Sequence, residues 1–179
     1  SELSWAEVAE ARIDGTEPIP LLEDLFTAFP GVKINIDPKD DNVVDPLVEV
    51  LREHDALDRV CLGSFSDRRL RRCLELLGPG LCTSAGPLAV SLVRLSSFGL
   101  PTGRPSAQCL QVPVRQGRIP IVDRRFVGHA HDRGLQVHVW TIDDPTEMHR
   151  LLDLGVDGIM TDQPSLLRSV LIEREDWVA

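Results

Sequence analysis

The residues best suited to chemistry in this sequence are an aspartate and a lysine two positions apart. Asp37 and Lys39 lie in the segment KINIDPKD, at the end of a run of strand-forming residues. Because side chains two positions apart on a strand point to the same side of the sheet, we expect the two groups to lie together. A carboxylate beside an ammonium group could bind a divalent cation and a phosphate at one place. A simple ion pair would give the same spacing.

A second candidate region is the segment QVHVWTIDD. Alternation along a strand puts Gln136, His138 and Trp140 on one face and Val137 and Val139 on the other. If the valines pack against outer helices, Trp140 lies near the end of the strand and could wall a substrate pocket. His138 would lie deeper, where a hydrogen-bonded interior histidine is the expected role.

The remaining polar residues point to no further chemistry. Asp162 follows a strand and precedes a proline, so we expect it to cap the next helix. The other histidines lie in helical stretches and are expected on the outer surface: His54, His129, His131 and His149. Neither a G-x-S-x-G nor an H-E-x-x-H motif occurs. The residues thus predict a site for a cation and an anion, with no evident acid or base.

Strand-like and helix-like runs alternate along the chain, which predicts a parallel sheet with helical crossovers. Helices that follow strands are expected to begin with a proline at or near their first position, and helices that precede strands are expected to end at a glycine. Asp144 and Glu147 have the spacing of a capping box. The six expected strands lie at about 33–37, 59–64, 81–84, 108–114, 136–141 and 157–161. The prolines are Pro46, Pro87, Pro145 and Pro164, and the glycines are Gly31, Gly78, Gly134 and Gly155.

Six parallel strands fit either an open doubly wound sheet or part of a barrel. No glycine-rich phosphate loop follows the first strand, whereas polar residues end several strands, which is how barrels build their sites. The barrel is therefore favoured. The fourth strand is the weakest assignment, because it follows the Gly/Pro/Ser-rich stretch 96–108, which we expect to be a loop.

Composition restricts the class of protein. The 179 residues are expected to form a single domain, and a net charge of −9 disfavours nucleic acid as a partner. No apolar run is long enough to span a bilayer, so no stable membrane insertion is expected. The spacing of the four cysteines indicates reduced structural thiols. With no visible signal peptide, these features favour a cytoplasmic setting, although the sequence does not begin with Met.

Three segments resemble the glycerophosphodiester phosphodiesterase family. IPLLEDLFTAFPGVKINIDPK is similar to its I-P-x-L-E-E helix and I-E-x-K strand, and VCLGSFSDRRL to its S-F-D-x-x-x-L segment. GLQVHVWTIDDPTEMHRLLDLGVDGIMTDQP resembles its C-terminal V-W-T-V-N…G-V-D-G-I-x-T-D-x-P signature. The resemblance extends over essentially the whole chain. It implies a (β/α)8 TIM barrel that uses Ca²⁺ or Mg²⁺ to hydrolyse glycerophosphodiesters to glycerol 3-phosphate and an alcohol.

The resemblance also assigns roles to residues. Asp37 stands where the family has a metal-binding glutamate, Lys39 at its phosphate-contacting lysine, and Trp140 at its pocket-lining tryptophan. The family's H-R-G, E-x-D and H-D segments do not occur in the sequence, and both catalytic histidines that they supply would precede Ser1. The resemblance therefore assigns no catalytic residue to the chain and implies an incomplete barrel of about six βα units that lacks its first two strands. By itself the 179-residue chain is expected to be inactive.

Two alternatives remain open. The chain could be a non-catalytic barrel remnant that binds a partner or associates with itself through exposed barrel edges. It could also belong to a related phosphodiesterase that acts on lysophospholipids. The sequence shows no apolar lip and no anchoring helix, which argues against lipid substrates.

Overall fold

The computed structural model describes residues 3–177 and contains six parallel strands, each followed by a helix. The strands are β1 (Ile34–Ile36), β2 (Val60–Leu62), β3 (Cys82–Thr83), β4 (Cys109–Pro113), β5 (Gln136–Trp140) and β6 (Gly158–Ile159). The helices are α1 (Trp5–Glu10), α2 (Leu22–Ala28), α3 (Val44–Glu53), α4 (Asp67–Leu77), α5 (Pro87–Ser96), α6 (Arg124–His131), α7 (Pro145–Leu154) and α8 (Pro164–Glu173). The predicted alternation is confirmed.

The strands lie side by side in chain order. One ladder joins β1, β2 and β3, another joins β4, β5 and β6, and a single parallel bridge between Ser84 and Cys109 connects the two. An open doubly wound sheet would instead reverse its order partway along the chain. The sequential order is that of a barrel wall. Within residues 3–177 no ladder joins β6 to β1, so the wall is an open arc.

Two apolar cores fill the space between the strands and the outer helices. The first packs β1, β2 and the start of β3 against α2, α3 and α4, with Leu51 and Leu62 completely buried. The second packs β4, β5 and β6 against α5 to α8, with Phe126 and Leu151 completely buried. Alternation explains this arrangement, because Val137 and Val139 face the helices while their neighbours on β5 face the inside of the arc.

The observed strands lie within the predicted ranges, and the fourth strand is one of the longest. The stretch 97–108 contains no helix or strand, as expected of a loop. Two short antiparallel hairpins, at 12–18 and 115–120, were not predicted. The second hairpin stands between β4 and α6, at the end of the arc where the strands finish.

Several predicted helix boundaries are corrected. Pro87, Pro145 and Pro164 do begin helices, and Gly78 and Gly155 do end them. Pro46 instead occupies the third position of α3, because a 3-10 turn at Asp41–Val43 leads into that helix. At that position a helical N–H still has no partner within the helix. Gly31 and Gly134 lie beyond the C-caps of their helices, which are Phe29 and Asp132.

The predicted capping box at α7 forms only in part. The Asp144 carboxylate accepts a hydrogen bond from the Glu147 N–H at 2.8 Å. The Glu147 carboxylate does not complete the box, because it binds Arg150 through two contacts of 2.6 Å. A two-point contact with a guanidinium is stronger than one hydrogen bond to an N–H.

Candidate functional site

A cavity of about 530 Å³ opens at the C-terminal ends of all six parallel strands. Residues that end or follow the strands line it, including Asp37, Phe65, Gln111, Trp140 and Met160. This is the end of a parallel barrel where loops of different strands meet. A second cavity, of about 290 Å³, lies on the outer surface between α3 and α4, and most of its arginines are paired with aspartates there.

The structure places Asp37 and Lys39 together on the wall of the larger cavity. Lys39 Nζ donates to Asp37 Oδ2 at 2.5 Å, with the lysine side chain 77% exposed and the aspartate side chain 31% exposed. Because the ammonium group faces open solvent, it can leave the carboxylate for an anion at little cost. The geometry is therefore compatible with both the ion pair and the anion site that the sequence left open.

Arg69 holds the loop that carries this pair, a role that the sequence analysis missed. Its guanidinium, on α4, donates to the Pro38 carbonyl at 2.7 Å, to Asp41 Oδ1 at 3.0 Å and to Ser64 Oγ at 3.2 Å. The Arg69 side chain is only 14% exposed. One side chain thus ties the loop after β1 to the loop after β2. Its position in the helical run DRRLRRC gives no signal that distinguishes it from the neighbouring arginines.

The floor of the cavity is a polar contact that crosses the inside of the arc. Gln111 Nε2, on β4, donates to Asn35 Oδ1, on β1, at 2.8 Å. Gly63 makes room for this contact, since a Cβ there would lie 2.5 Å from Gln111 Oε1. Neither Asn35 nor Gln111 was singled out from the sequence. Alternation along β4 would have placed Gln111 on the inner face, but nothing in the sequence identifies its partner on a distant strand.

Trp140 lies at the end of β5 and walls the cavity, where the sequence placed it. The Phe65 ring meets it edge to face, with ring centroids 5.8 Å apart, and Phe65 itself is 69% exposed. The mouth of the cavity therefore does have an apolar lip, contrary to the sequence-based expectation. That expectation failed because Phe65 lies in a short polar loop and is not part of an apolar run.

His138 faces the inside of the arc as predicted, with Gly158 of the neighbouring strand against its ring. Burial lowers the pKa of His138, so the ring is neutral near neutral pH. The expected hydrogen bond is not found: within the part of the chain that the structure describes, no side chain or backbone group forms a hydrogen bond with this ring. His138 lies deeper than Trp140 and does not line the cavity.

The sequence assigns no catalytic residue, because the family resemblance places both catalytic histidines before Ser1. Ser1 lies outside the residues that the structure describes, so this assignment stays a prediction. Within residues 3–177, no histidine lines the cavity at the strand ends. The described wall of the cavity therefore offers no imidazole that could act as acid or base.

The other predicted polar roles are corrected in detail. Asp162 does not cap α8; its N–H donates to Asp143 Oδ1 at 2.8 Å, and Gln163 is the cap residue. Three of the four remaining histidines lie on outer helices, and His54 is the C-cap residue of α3, where its ring packs against Phe26 with centroids 5.6 Å apart. His129 contacts Ser96, His131 contacts Asp157 at 2.8 Å, and His149 lies 3.9 Å from Glu173.

Three of the four cysteines lie on the inner-facing strand positions. Cys61 Sγ and Cys109 Sγ are 3.8 Å apart, and both are free thiols. Burial and the contact with Cys61 raise the pKa of Cys82 to about 11. The hydrogen bond with Cys109, together with burial, raises the pKa of Cys61 as well. The Cys61 and Cys82 thiols therefore remain protonated, which makes them poor nucleophiles.

The residues that the structure describes do not by themselves form a calcium or magnesium site. Such ions take six or more oxygen ligands, usually including several carboxylates. Asp37 offers one carboxylate, and the Asn35 amide oxygen on the floor already accepts a hydrogen bond from Gln111. Within residues 3–177 no three His, Cys, Asp or Glu side chains are grouped so that they could hold a metal ion.

Comparison with known proteins identifies the family. Residues 1–166 match the "Glycerophosphoryl diester phosphodiesterase family". The Mycobacterium tuberculosis protein named "Probable glycerophosphodiester phosphodiesterase 2" is 42% identical over 98% of this chain and 68% of its own length. A human lysophospholipase D is 28% identical over 86% of this chain and 56% of its own length. The chain thus spans little more than half of that curated relative.

A solved structure supports the same fold. The chain superimposes on a protein from Silicibacter pomeroyi, assigned to the glycerophosphoryl diester phosphodiesterases, with a TM-score of 0.78 at 22% identity. The match covers 99% of this chain and 70% of that one. At this identity the similarity establishes the fold alone. The relatives named glycerophosphodiester phosphodiesterases are phosphoric diester hydrolases. Together with the matched residues, they show that the chain belongs to the glycerophosphoryl diester phosphodiesterase family.

Proposed function

We propose that this chain is part of an enzyme that hydrolyses glycerophosphodiesters to glycerol 3-phosphate and an alcohol. The observation that carries the proposal is the position of Asp37, Lys39 and Trp140 around one cavity at the strand ends. Lys39 would contact the phosphate, since its ammonium group is exposed and, within residues 3–177, is paired with the Asp37 carboxylate alone. Trp140 would pack against the glycerol or alcohol part of the substrate.

The metal requirement belongs to the same proposal. Asp37 would supply one carboxylate to a Ca²⁺ or Mg²⁺ site whose other ligands lie outside this chain. An aspartate reaches one methylene less far than the glutamate that the family resemblance implies, so the ion would lie closer to β1.

We infer the usual setting to be the cytoplasm. In the described part of the chain, no helix is both long and apolar enough to cross a bilayer.

We propose that the 179 residues form one barrel domain that is incomplete as it stands. Two further strands would close the arc between β6 and β1 and would bring both catalytic histidines. The coverage of 70% of the Silicibacter pomeroyi protein supports this, since six of eight units is a similar share. The two open strand edges would otherwise favour self-association, because their unpaired backbone groups can bind further strands.

The test compares this chain with a chimera that adds the part of the Mycobacterium tuberculosis relative that the chain does not match. Each is incubated with glycerophosphocholine and Ca²⁺ or Mg²⁺, and release of glycerol 3-phosphate is measured with and without a chelator. We expect turnover by the chimera only. Robust metal-dependent turnover by the chain alone would refute its inactivity, and an inactive but folded chimera would contradict the hydrolase proposal and favour a binding module.

The two lysines of the chain provide a matched pair for the proposed phosphate contact. Lys39 lines the cavity, whereas Lys33 precedes β1 at the opposite end of the arc. In the chimera we expect Lys39→Ala to lower kcat/KM by roughly 100-fold, the usual effect of removing one donor to developing charge. Lys33→Ala should leave it unchanged. Equal effects of the two substitutions would exclude a specific role for Lys39.

A second candidate substrate class is favoured by the apolar lip. Phe65 extends the cavity wall outward from Trp140, where the acyl chain of a lysophospholipid could lie against it. Turnover of lysophosphatidylcholine and glycerophosphocholine by the chimera distinguishes the two classes. Phe65→Ser should lower activity on the lipid substrate and spare activity on glycerophosphocholine.

A further inference from the structure

Three strongly exposed apolar side chains lie in segments that line the cavity: one is a lining residue itself, and the other two are close in sequence to lining residues. Phe65, Leu88 and Ile119 are 69%, 64% and 64% exposed, and among large apolar residues between 3 and 177 only Leu3 is comparably exposed. They belong to three successive segments, which follow β2, β3 and β4. Single exposed apolar side chains are common on protein surfaces, but several grouped at one end of the fold indicate a surface that contacts another molecule.

Two arginines stand among these tips. Arg115 and Arg118 lie on the exposed hairpin that also carries Ile119. Among the residues that the structure describes, neither arginine forms an ion pair with a carboxylate, whereas most arginines of α4 do. In a chain with a net charge of −9, this part of the rim is therefore locally basic. Acidic residues also occur at this end of the arc: Asp67 begins α4 close to Phe65, and Asp143 and Asp144 lie on the loop after β5.

We propose that this rim, formed by Phe65, Leu88, Arg115, Arg118 and Ile119, docks the mouth of the cavity onto an anionic lipid bilayer. Single apolar tips separated by arginines suit the boundary between headgroups and acyl chains, where apolar ends insert and cations meet lipid phosphates. A helix or strand of a protein partner would need a continuous groove or an open strand edge. The strand edges at the rim belong to a hairpin whose strands pair through only two residues each, which is too short to bind an added strand firmly.

Charge also argues against a second copy of the chain as the occupant. In a symmetric dimer the same patch faces itself, so the two arginines of one copy would face those of the other. An anionic bilayer removes that repulsion. The rim segments follow β2, β3 and β4, which are interior strands of the arc, so closure between β6 and β1 would leave them uncovered. Attachment of this kind is peripheral, reversible and sensitive to salt.

The test is cosedimentation of the chain with vesicles of phosphatidylcholine alone or mixed with phosphatidylglycerol, at low and high salt. We expect binding to the anionic vesicles at low salt and its loss at high salt. Arg115→Gln/Arg118→Gln should weaken binding roughly 25-fold, since each basic residue near an anionic surface contributes roughly fivefold. Leu88→Ser/Ile119→Ser should weaken it roughly tenfold.

Two control variants carry substitutions of the same types at residues outside the rim. Phe29→Ser/Val32→Ser removes two half-exposed apolar residues at the opposite end of the arc, and Arg71→Gln/Arg104→Gln removes two exposed arginines outside the rim. Both controls should bind like the unaltered chain. Circular dichroism of every variant verifies that it is folded.

Three results would overturn the proposal. These are equal binding to neutral and anionic vesicles, equal effects of rim and control variants, and a dimer that rim variants dissociate without any vesicle binding. The inference does not rest on hydrolysis. Because the readout is binding without turnover, failure of the hydrolase proposal and failure of this one are separate outcomes.

Discussion

Replacing Arg69 tests whether burial, and not contact distance, decides the strength of the ion pairs beside the cavity. Arg69 and Arg68 both bind Asp41, and the Arg68 contact is the shorter, at 2.6 Å against 3.0 Å. The Arg69 side chain is 14% exposed, however, whereas that of Arg68 is 81% exposed. An exposed pair contributes little, because solvent screens the charges and ordering the side chains costs entropy.

The magnitude follows from the three acceptors of Arg69. Each hydrogen bond contributes about 0.5–1.5 kcal/mol, and a buried acceptor left without a donor costs more. Pro38 is buried, and its carbonyl accepts from Arg69 at 2.7 Å, whereas its other donor, Ser64 Oγ, is 3.5 Å away and makes a much weaker contact. We therefore expect Arg69→Met to lower the free energy of unfolding by about 2–3 kcal/mol. Arg68→Met should lower it by less than about 0.5 kcal/mol.

Urea unfolding followed by circular dichroism measures both values, and a slope that stays constant between variants shows that only stability has changed. With Trp5 and Trp177 replaced by Phe, Trp140 fluorescence adds a local readout, because release of the loop after β1 changes the cavity beside the indole ring. Equal losses for the two variants, or a larger loss for Arg68→Met, would refute the reasoning from burial.

Three further predictions concern other parts of the fold. Burial lowers the pKa of His138 below its ordinary value of 6.5, so the unfolded chain binds the proton at a higher pH than the folded chain does. The free energy of unfolding should therefore fall as the pH drops below 6.5. Urea titrations at several pH values should show a smaller fall for His138→Gln. Gly86→Ala places a Cβ 2.0 Å from Asp67 Oδ1 and should cost about 1–3 kcal/mol, whereas Gly80→Ala meets nothing within 4 Å and Asp67→Ala should rescue the first substitution. Leu151→Ala, at a completely buried position, should lower the unfolding free energy by about 2–5 kcal/mol in the same assay.

The sequence predicted the order of strands and helices because each element carries its own local signal. Val137 and Val139 alternate with polar residues, and Pro145 and Gly155 mark the two ends of a helix. The boundaries that failed depend on longer-range structure. A 3-10 turn capped by Asp40 displaced Pro46 within α3, and nothing in the neighbouring residue types predicts that turn.

The candidate site shows the same division. Asp37, Lys39 and Trp140 could be found from strand ends and family motifs, and their assigned roles stay predictions. The contacts of Arg69 with Pro38 and Asp41, and that of Gln111 with Asn35, could not be found. Each joins residues 28 or more positions apart, and a single sequence does not identify such pairs. The apolar lip was missed because Phe65 lies alone in a short polar loop and is not part of an apolar run.

The narrow connection between the two ladders has a consequence for how the protein moves. Within the described arc, β4 and β5 pair through five residues, whereas β3 and β4 meet at one bridge, and each side of that bridge has its own apolar core. The arc should therefore open locally between β3 and β4, and amide hydrogens near Ser84 should exchange sooner than those of β5. The cavity straddles this boundary, with Asp37 on one side and Trp140 on the other. A substrate that contacts both residues would hold the two ladders together, so its binding should slow amide hydrogen exchange at residues far from the ligand itself.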